Sequence, residues 1–180
     1  MGGYGEVPLP RNTHFAHSAA SPWRCVTGGL GASPGKRSSG EKGPGQSFSL
    51  RAPAIRLLDE GIRYARERQQ GGRPIGDYQL VQAMLAECKV DIESARALIL
   101  ETARKLHRGK DVTMDVSLCK YLSTEMCFRV ADRVVQIFGG RGYTKYRGIE
   151  RFFRDVRAAR IYEGTSQIHL LNIGKRLLAE

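Results

Sequence analysis

Apolar side chains recur at helical spacing through the last two-thirds of the chain and lose all period in its first quarter. Ile55, Leu58, Ile62 and Ala65 fall on one face of a helix starting near Ala54, with Arg56, Arg63 and Arg66 around the rest. The glycines and proline of QQGGRP, residues 69–74, predict its end. Asp77 then stands where a cap would start a long helix from about Leu80 to Arg108. Its stripe is Val81, Met84, Leu85, Cys88, Ile92, Ala95, Leu98, Ile99 and Leu106. A third helix, about Val112 to Phe138, repeats the period through Val116, Cys119, Leu122, Met126, Val130, Val134 and Ile137. It stops at GGRGYTKYRG, residues 139–148. A shorter helix over Glu150–Arg157 and a last one over Thr165–Leu178 follow. No stretch alternates as a half-buried strand does. Long helices joined by short turns predict an all-α antiparallel bundle over residues 50–180.

Residues 1–49 read as a disordered tail. They hold ten of the 21 glycines and five of the seven prolines, which leaves nothing to build a core from. The segment LGASPGKRS approaches a phosphate-binding loop but fails it. Leu30 replaces the leading glycine, and Arg37 stands where a hydroxyl would hold magnesium. His14 and His17 lack partners, so no metal site is predicted. Cys25, Cys88, Cys119 and Cys127 lack C-x-x-C spacing, and three of them fall on helical stripes as reduced core thiols.

The formal net charge is +11, with +3 through Leu50 and +8 from Arg51. Such a balance suits an anionic partner, a phosphate-bearing cofactor among them, and equally suits plain solubility. A nucleic-acid binder is set aside: the only tryptophan, Trp23, lies in the tail, and no stacking platform is visible. No apolar run approaches the ~20 residues of a membrane span. A cytoplasmic location is expected, or the mitochondrial matrix in a eukaryote.

The candidate chemistry centres on RIYEGTSQ, residues 160–167. Glu163 follows Ile161 and Tyr162 and precedes Gly164 and a helix start. Apolar neighbours would strip water from its carboxylate and raise its proton affinity toward that of a usable base. Its amide lies where helix N-terminal N–H groups can meet a developing negative charge. A helix-start acid explains the same pattern, and these residues alone leave both readings open. Between Arg141 and Arg160 seven basic residues face Glu150 and Asp155. They read as a solvated face or, for Arg151, Arg154 and Asp155, as ion pairs tying neighbouring helices.

Four segments, YARERQQGGRPI, YQLVQAMLAE, VQIFGGRGYTK and IERFFRDVRAARIYEGTSQI, occur in an order and spacing that resemble the C-terminal helical domain of the acyl-CoA dehydrogenases. The resemblance runs from about Leu57 to the C-terminus. It implies FAD-dependent oxidation of an acyl-CoA thioester to the trans-2-enoyl-CoA. Glu163 would then remove the α-proton while the β-hydrogen leaves as hydride to the flavin. The Glu163 N–H and a ribityl hydroxyl of FAD would hold the thioester carbonyl, and Gly164 would leave room for it. Arg68 would meet the FAD pyrophosphate. Gln136, Gly139 and Gly140 would meet the adenosine part of a neighbouring subunit's FAD, and Thr165 and Gln167 the flavin nucleotide.

The implied partners are an acyl-CoA, a second copy or three further copies of the chain, and an electron-transfer flavoprotein or similar acceptor. The family's N-terminal helical and central β-barrel domains have no counterpart in residues 1–49. The resemblance therefore implies the C-terminal part of such an enzyme, truncated or completed by another polypeptide. The alternative is a non-catalytic helical module that oligomerises with itself or with a full-length relative. The chain also departs from the family pattern at Gly71-Gly72, at Tyr78, at His169 and in KYRGIER.

Overall fold

The computed structural model describes residues 45–145 and 147–179, with side chains from Leu50 onward. The predicted features of residues 1–44, His14, His17, Trp23, Cys25 and the near phosphate loop among them, lie outside the described residues. The elements in chain order are α1 (Gly45–Glu67), β1 (Gln69–Gln70), β2 (Arg73–Pro74), a 3₁₀ turn (Ile75–Asp77), α2 (Gln79–His107), α3 (Thr113–Phe138), α4 (Gly140–Tyr143), α5 (Ile149–Ala159) and α6 (Ser166–Leu177).

The bundle is built around α3. Its 26 residues bury Cys119, Met126, Cys127, Val130, Ala131 and Val134 on more than one face, because α1, α2, α5 and α6 all pack against it. The pairs Lys105–Asp115, Thr102–Cys119, Asp91–Arg129 and Glu87–Arg133 rise on one helix as they fall on the other, so α2 and α3 run antiparallel. α1 lies parallel to α3: Gly61 faces Val134, and Tyr64 stacks on Phe138 with centroids 4.0 Å apart. At Gly61 a Cβ would already stand 3.4 Å from Val134 and 3.5 Å from Leu85, so three helices converge on the missing side chain. α5 and α6 run back along α3 through Phe153–Phe128, Ser166–Glu125 and Arg176–Asp111.

Several sequence expectations change. α1 starts at Gly45 rather than near Ala54, inside the segment expected to be tail, and it carries Pro53 within it. A two-residue antiparallel ladder exists where no strand was expected, pairing Gln69 with Pro74 and Gln70 with Arg73. Gly71 and Gly72, with φ of 58° and 78°, form its turn, as two left-handed residues do in a tight hairpin. Asp77 does not cap α2. Tyr78 holds that position without a side-chain cap and ties the hairpin to the helix by donating from Oη to the Gln70 carbonyl (2.9 Å).

The start of α3 is satisfied from outside the helix, by the Asp111 carboxylate accepting from the Thr113 N–H (2.9 Å) and hydroxyl. Leu106 is exposed and Thr102 takes a buried place on α2 instead, its hydroxyl bonded to the Leu98 carbonyl. Arg151–Asp155 and Arg154–Glu150 are pairs along α5 itself, spaced i,i+4. Ties between elements include Asp91 with Arg129 and Arg133, Arg160 with Glu125, and Arg147 with Glu67. Cys88, Cys119 and Cys127 are buried free thiols, as expected.

Candidate functional site

The sequence-predicted residues form two clusters. Gln136, at the C-terminal end of α3, belongs to one, and the turn that Lys120 holds near the helix start is the other. Sixteen residues of helix separate them, roughly 24 Å at 1.5 Å per residue.

The first cluster surrounds a cavity of about 780 Å³ lined by Tyr64, Arg68, Ile137, Phe138, Gly139 and Gly140 among others. Helix α3 stops there because Gly139 takes a positive φ of 58° with ψ −140°, a backbone conformation open to glycine. A Cβ on either Gly139 or Gly140 would meet nothing within 4 Å, so the backbone faces open space. Arg68 has no carboxylate partner among the described residues. Gln136 is exposed one turn earlier and does not line the cavity. A glycine rim beside an unpaired guanidinium and an apolar floor suits a ligand carrying a phosphate and a flat ring.

The second cluster is the turn between α5 and α6. Glu163 has φ 55°, the one positive value at a non-glycine residue among the described residues, and Gly164 follows at φ 94°. Such a pair needs support from outside the turn. Lys120, 6% exposed in the middle of the bundle, donates from Nζ to the carbonyls of Ala159 (2.9 Å) and Tyr162 (3.1 Å). The same ammonium lies 4.7 Å from the centroid of the Tyr162 ring. Glu125 accepts through Oε1 from Arg160 Nε (2.8 Å) and Ser166 Oγ (2.7 Å), bracketing the turn on both sides. The Ser166 N–H closes on the Arg160 carbonyl at 3.2 Å. Thr165 caps α6, its hydroxyl oxygen accepting from the Ile168 N–H at 3.3 Å. His169 packs beneath Gly164, where a Cβ would stand 3.0 Å from its Nε2.

Within this frame the Glu163 side chain is exposed, and among the described residues no hydrogen bond or ion pair engages its carboxylate. The desolvation expected from its neighbours is not supplied. Ile161 and Tyr162 are themselves 57% and 44% exposed, since the turn carries them outward rather than over the acid. Thr165 is half-buried and Gln167 exposed on the first turn of α6.

Burial pushes the Lys120 ammonium down from its ordinary range, with the Glu163 charge opposing the shift. Burial also lowers His169. The Glu163 main chain favours its protonated ring, although neither ring nitrogen makes a hydrogen bond of normal geometry. Tyr162 is raised by burial and then by the Glu163 charge.

Lys120, Glu125 and Arg160 went unrecognised as site residues in the sequence. Arg160 sits inside the quoted motif, but the other two lie about 40 positions away, and a lysine in an apolar helix reads as a surface residue. Among the described residues no group of His, Cys, Asp or Glu could hold a metal ion, and no helix is long and apolar enough to cross a membrane.

Comparison with known proteins gives one consistent answer. Residues 48–178 match the family described as acyl-CoA dehydrogenase, C-terminal domain. The caffeyl-CoA reductase–Etf complex subunit CarC of Acetobacterium woodii is 40% identical over 121 residues, 67% of this chain and 32% of that protein. The short-chain-specific acyl-CoA dehydrogenase of Megasphaera elsdenii is 36% identical over 121 residues, again 67% of this chain and 32% of that protein. Among solved structures, butyryl-CoA dehydrogenase from Megasphaera elsdenii superposes with a TM-score of 0.72 at 34% identity, covering 75% of this chain and 35% of that one. An FAD complex of PigA gives a TM-score of 0.70 at 28% identity over 73% of this chain and 34% of that one. The chain thus spans about a third of the length of these relatives.

Proposed function

This chain belongs to the acyl-CoA dehydrogenase family through its C-terminal helical domain, and from that premise we propose that it serves in the FAD-dependent oxidation of an acyl-CoA thioester to the trans-2-enoyl-CoA. Glu163 is the base. Its carboxylate takes the α-proton, and its backbone N–H donates to the thioester oxygen as negative charge gathers there. Gly164, at φ 94°, lets the turn present its main chain to the thioester. Positioned base catalysis of this kind is worth roughly 10²–10⁴-fold.

The observation that carries this reading is the Glu163 turn. A strained, left-handed acid is tied down from several sides while its own carboxylate is left without a partner. A merely structural acid at a helix start would use its oxygens on the helix N–H groups, and here Thr165 performs that cap.

Bound FAD would supply the acceptor for the β-hydrogen. The residues present fit such a group: Arg68 for the pyrophosphate and Gly139 and Gly140 for close backbone approach, with exposed Gln136 one turn before them. Thr165 and Gln167, at the start of α6, would meet the flavin nucleotide. The two clusters stand at opposite ends of α3, which favours sharing between subunits of a homodimer or homotetramer, each end serving a different FAD. The likeness to an Etf-complex subunit supports an electron-transfer flavoprotein, or a similar acceptor, as the redox partner.

The test is anaerobic titration of the chain, loaded with FAD, by a saturated acyl-CoA. Bleaching of the visible flavin band supports the assignment, and an FAD-loaded chain that acyl-CoA leaves oxidised overturns it. A second reading, a non-catalytic module that oligomerises, draws on the exposed Ile168, Leu170, Leu171, Leu177 and Leu178 along α6. It predicts a sedimenting dimer or larger species that takes up no flavin.

A further inference from the structure

Lys120 is the most buried charged group in the described fold that the proposed chemistry leaves without a part. Its Nζ reaches the carbonyl of Tyr162, 42 positions along the chain, at 3.1 Å, and that of Ala159 at 2.9 Å. The carbonyl of Tyr162 and the N–H of Glu163 are the two ends of one peptide group. That group is planar and trans, so its C=O and N–H point opposite ways. A donor fixed on the oxygen therefore decides where the hydrogen aims.

We infer that Lys120 is a positioning residue for the oxyanion site: its ammonium orients and polarises the 162–163 peptide so that the Glu163 N–H meets the thioester oxygen. The inference rests on the acyl-CoA reading of the Glu163 turn proposed above.

Three further observations support it. A positive charge on a carbonyl draws electron density from the amide nitrogen, and hydrogen bonds in such a chain strengthen one another in a low-dielectric surround. The left-handed φ of 55° at Glu163 disfavours itself, so the peptide keeps this orientation only while something outside the turn holds it. The second bond of the ammonium, to Ala159, falls on the C-terminal carbonyls of α5, where a cation is favoured. One charge thus anchors both the helix end and the turn. The ionisable groups facing it are Glu163, His169 and Tyr162. Neither Tyr162 nor the uncapped His169 ring competes for the Tyr162 carbonyl.

The experiment uses the full chain with FAD held reduced, so that the ligand is not turned over, and butyryl-CoA carrying ¹³C at the thioester carbon, and reads the bound carbonyl stretch by isotope-edited infrared spectroscopy. Wild type is compared with Lys120→Met, which removes charge and donor, and with Lys120→Gln, which keeps donors for the carbonyls but no charge. Circular dichroism checks that each variant is folded. Wild type moves the stretch to lower frequency. Lys120→Met moves it back toward the free-thioester value and weakens binding about tenfold, the worth of one misaligned hydrogen bond. Lys120→Gln falls between.

A folded Lys120→Met with the wild-type frequency overturns the inference and leaves the acyl-CoA reading standing. Where Lys120→Met does not fold, Lys120→Gln decides: a wild-type frequency overturns the inference, an intermediate one supports it. A wild-type chain that leaves the stretch of butyryl-CoA unshifted removes the acyl-CoA reading, and this inference with it.

Discussion

Glu125→Ala removes the one carboxylate that holds both flanks of the Glu163 turn. Its Oε1 accepts from Arg160 at 2.8 Å and from Ser166 at 2.7 Å, with the two ionic side chains only 14% and 28% exposed. Hydrogen bonds to a charged group contribute about 1.5–3 kcal/mol each. Part of that is recovered, because Arg160 keeps its seat over the Phe128 ring, 4.9 Å from the centroid, and regains water on its exposed side. A net loss of about 2–3 kcal/mol follows, below the ~3–5 kcal/mol of a fully buried pair losing one partner. For a domain of this size that corresponds to a drop in Tm of roughly 8–12 °C.

Urea unfolding followed by far-UV circular dichroism measures the stability. Amide hydrogen exchange locates the loss: the Tyr162 and Ser166 N–H groups, bonded to Ala158 and Arg160, should lose protection before the α2–α3 core does. Glu125→Gln, which keeps an acceptor, should lie between Ala and wild type. A loss under ~0.5 kcal/mol with unchanged exchange in the turn would refute the view that Glu125 clamps it.

Gly164→Ala places a Cβ at φ 94° and 3.0 Å from His169, so a loss of about 1–2 kcal/mol is expected together with a displaced His169 ring, seen as a shift of its NMR resonances. Cys88 and Cys127 are pushed by burial up to about 11 and about 12, and Cys119 is raised for the same reason. All three thiols should resist a disulfide reagent at pH 8 in the folded protein and react only on unfolding. Asp111 is held at about 2 by the hydroxyl and amide of Thr113 and then by Arg176, against an ordinary value of 3.8. Its stabilising contribution is therefore complete above about pH 4 and lost as the pH falls through about 2, and Asp111→Asn should flatten acid unfolding in that window alone.

The long helices were legible because α2 and α3 keep an apolar period over 29 and 26 residues, longer than any accidental pattern. The hairpin was not, since two residues per strand are too few to show alternation; Gly71-Gly72 and the Tyr78 hydroxyl make it. The start of α1 was hidden by Pro44, Gly45 and Pro53, which locally oppose a helix that Leu50, Ala54 and Leu57 stabilise by packing. At the site, RIYEGTSQ stood out as a motif, but what holds it did not. Lys120 and Glu125 reach the turn only once α3 lies beneath it, and no spacing rule relates them to Glu163. The exposure of Ile161 and Tyr162 was equally invisible, because apolar composition says nothing of direction on a left-handed turn.

Solvent deuterium incorporation reads proton removal at the α-carbon directly. The FAD-loaded chain is incubated in D₂O with a saturated acyl-CoA, and deuterium at C2 of the acyl group is followed by NMR or mass spectrometry in parallel with Glu163→Gln. Deuterium should enter with wild type and fall at least about a hundredfold in the variant, the lower worth of a positioned base. Equal incorporation by both proteins would contradict the assignment of Glu163 as the group that takes the proton.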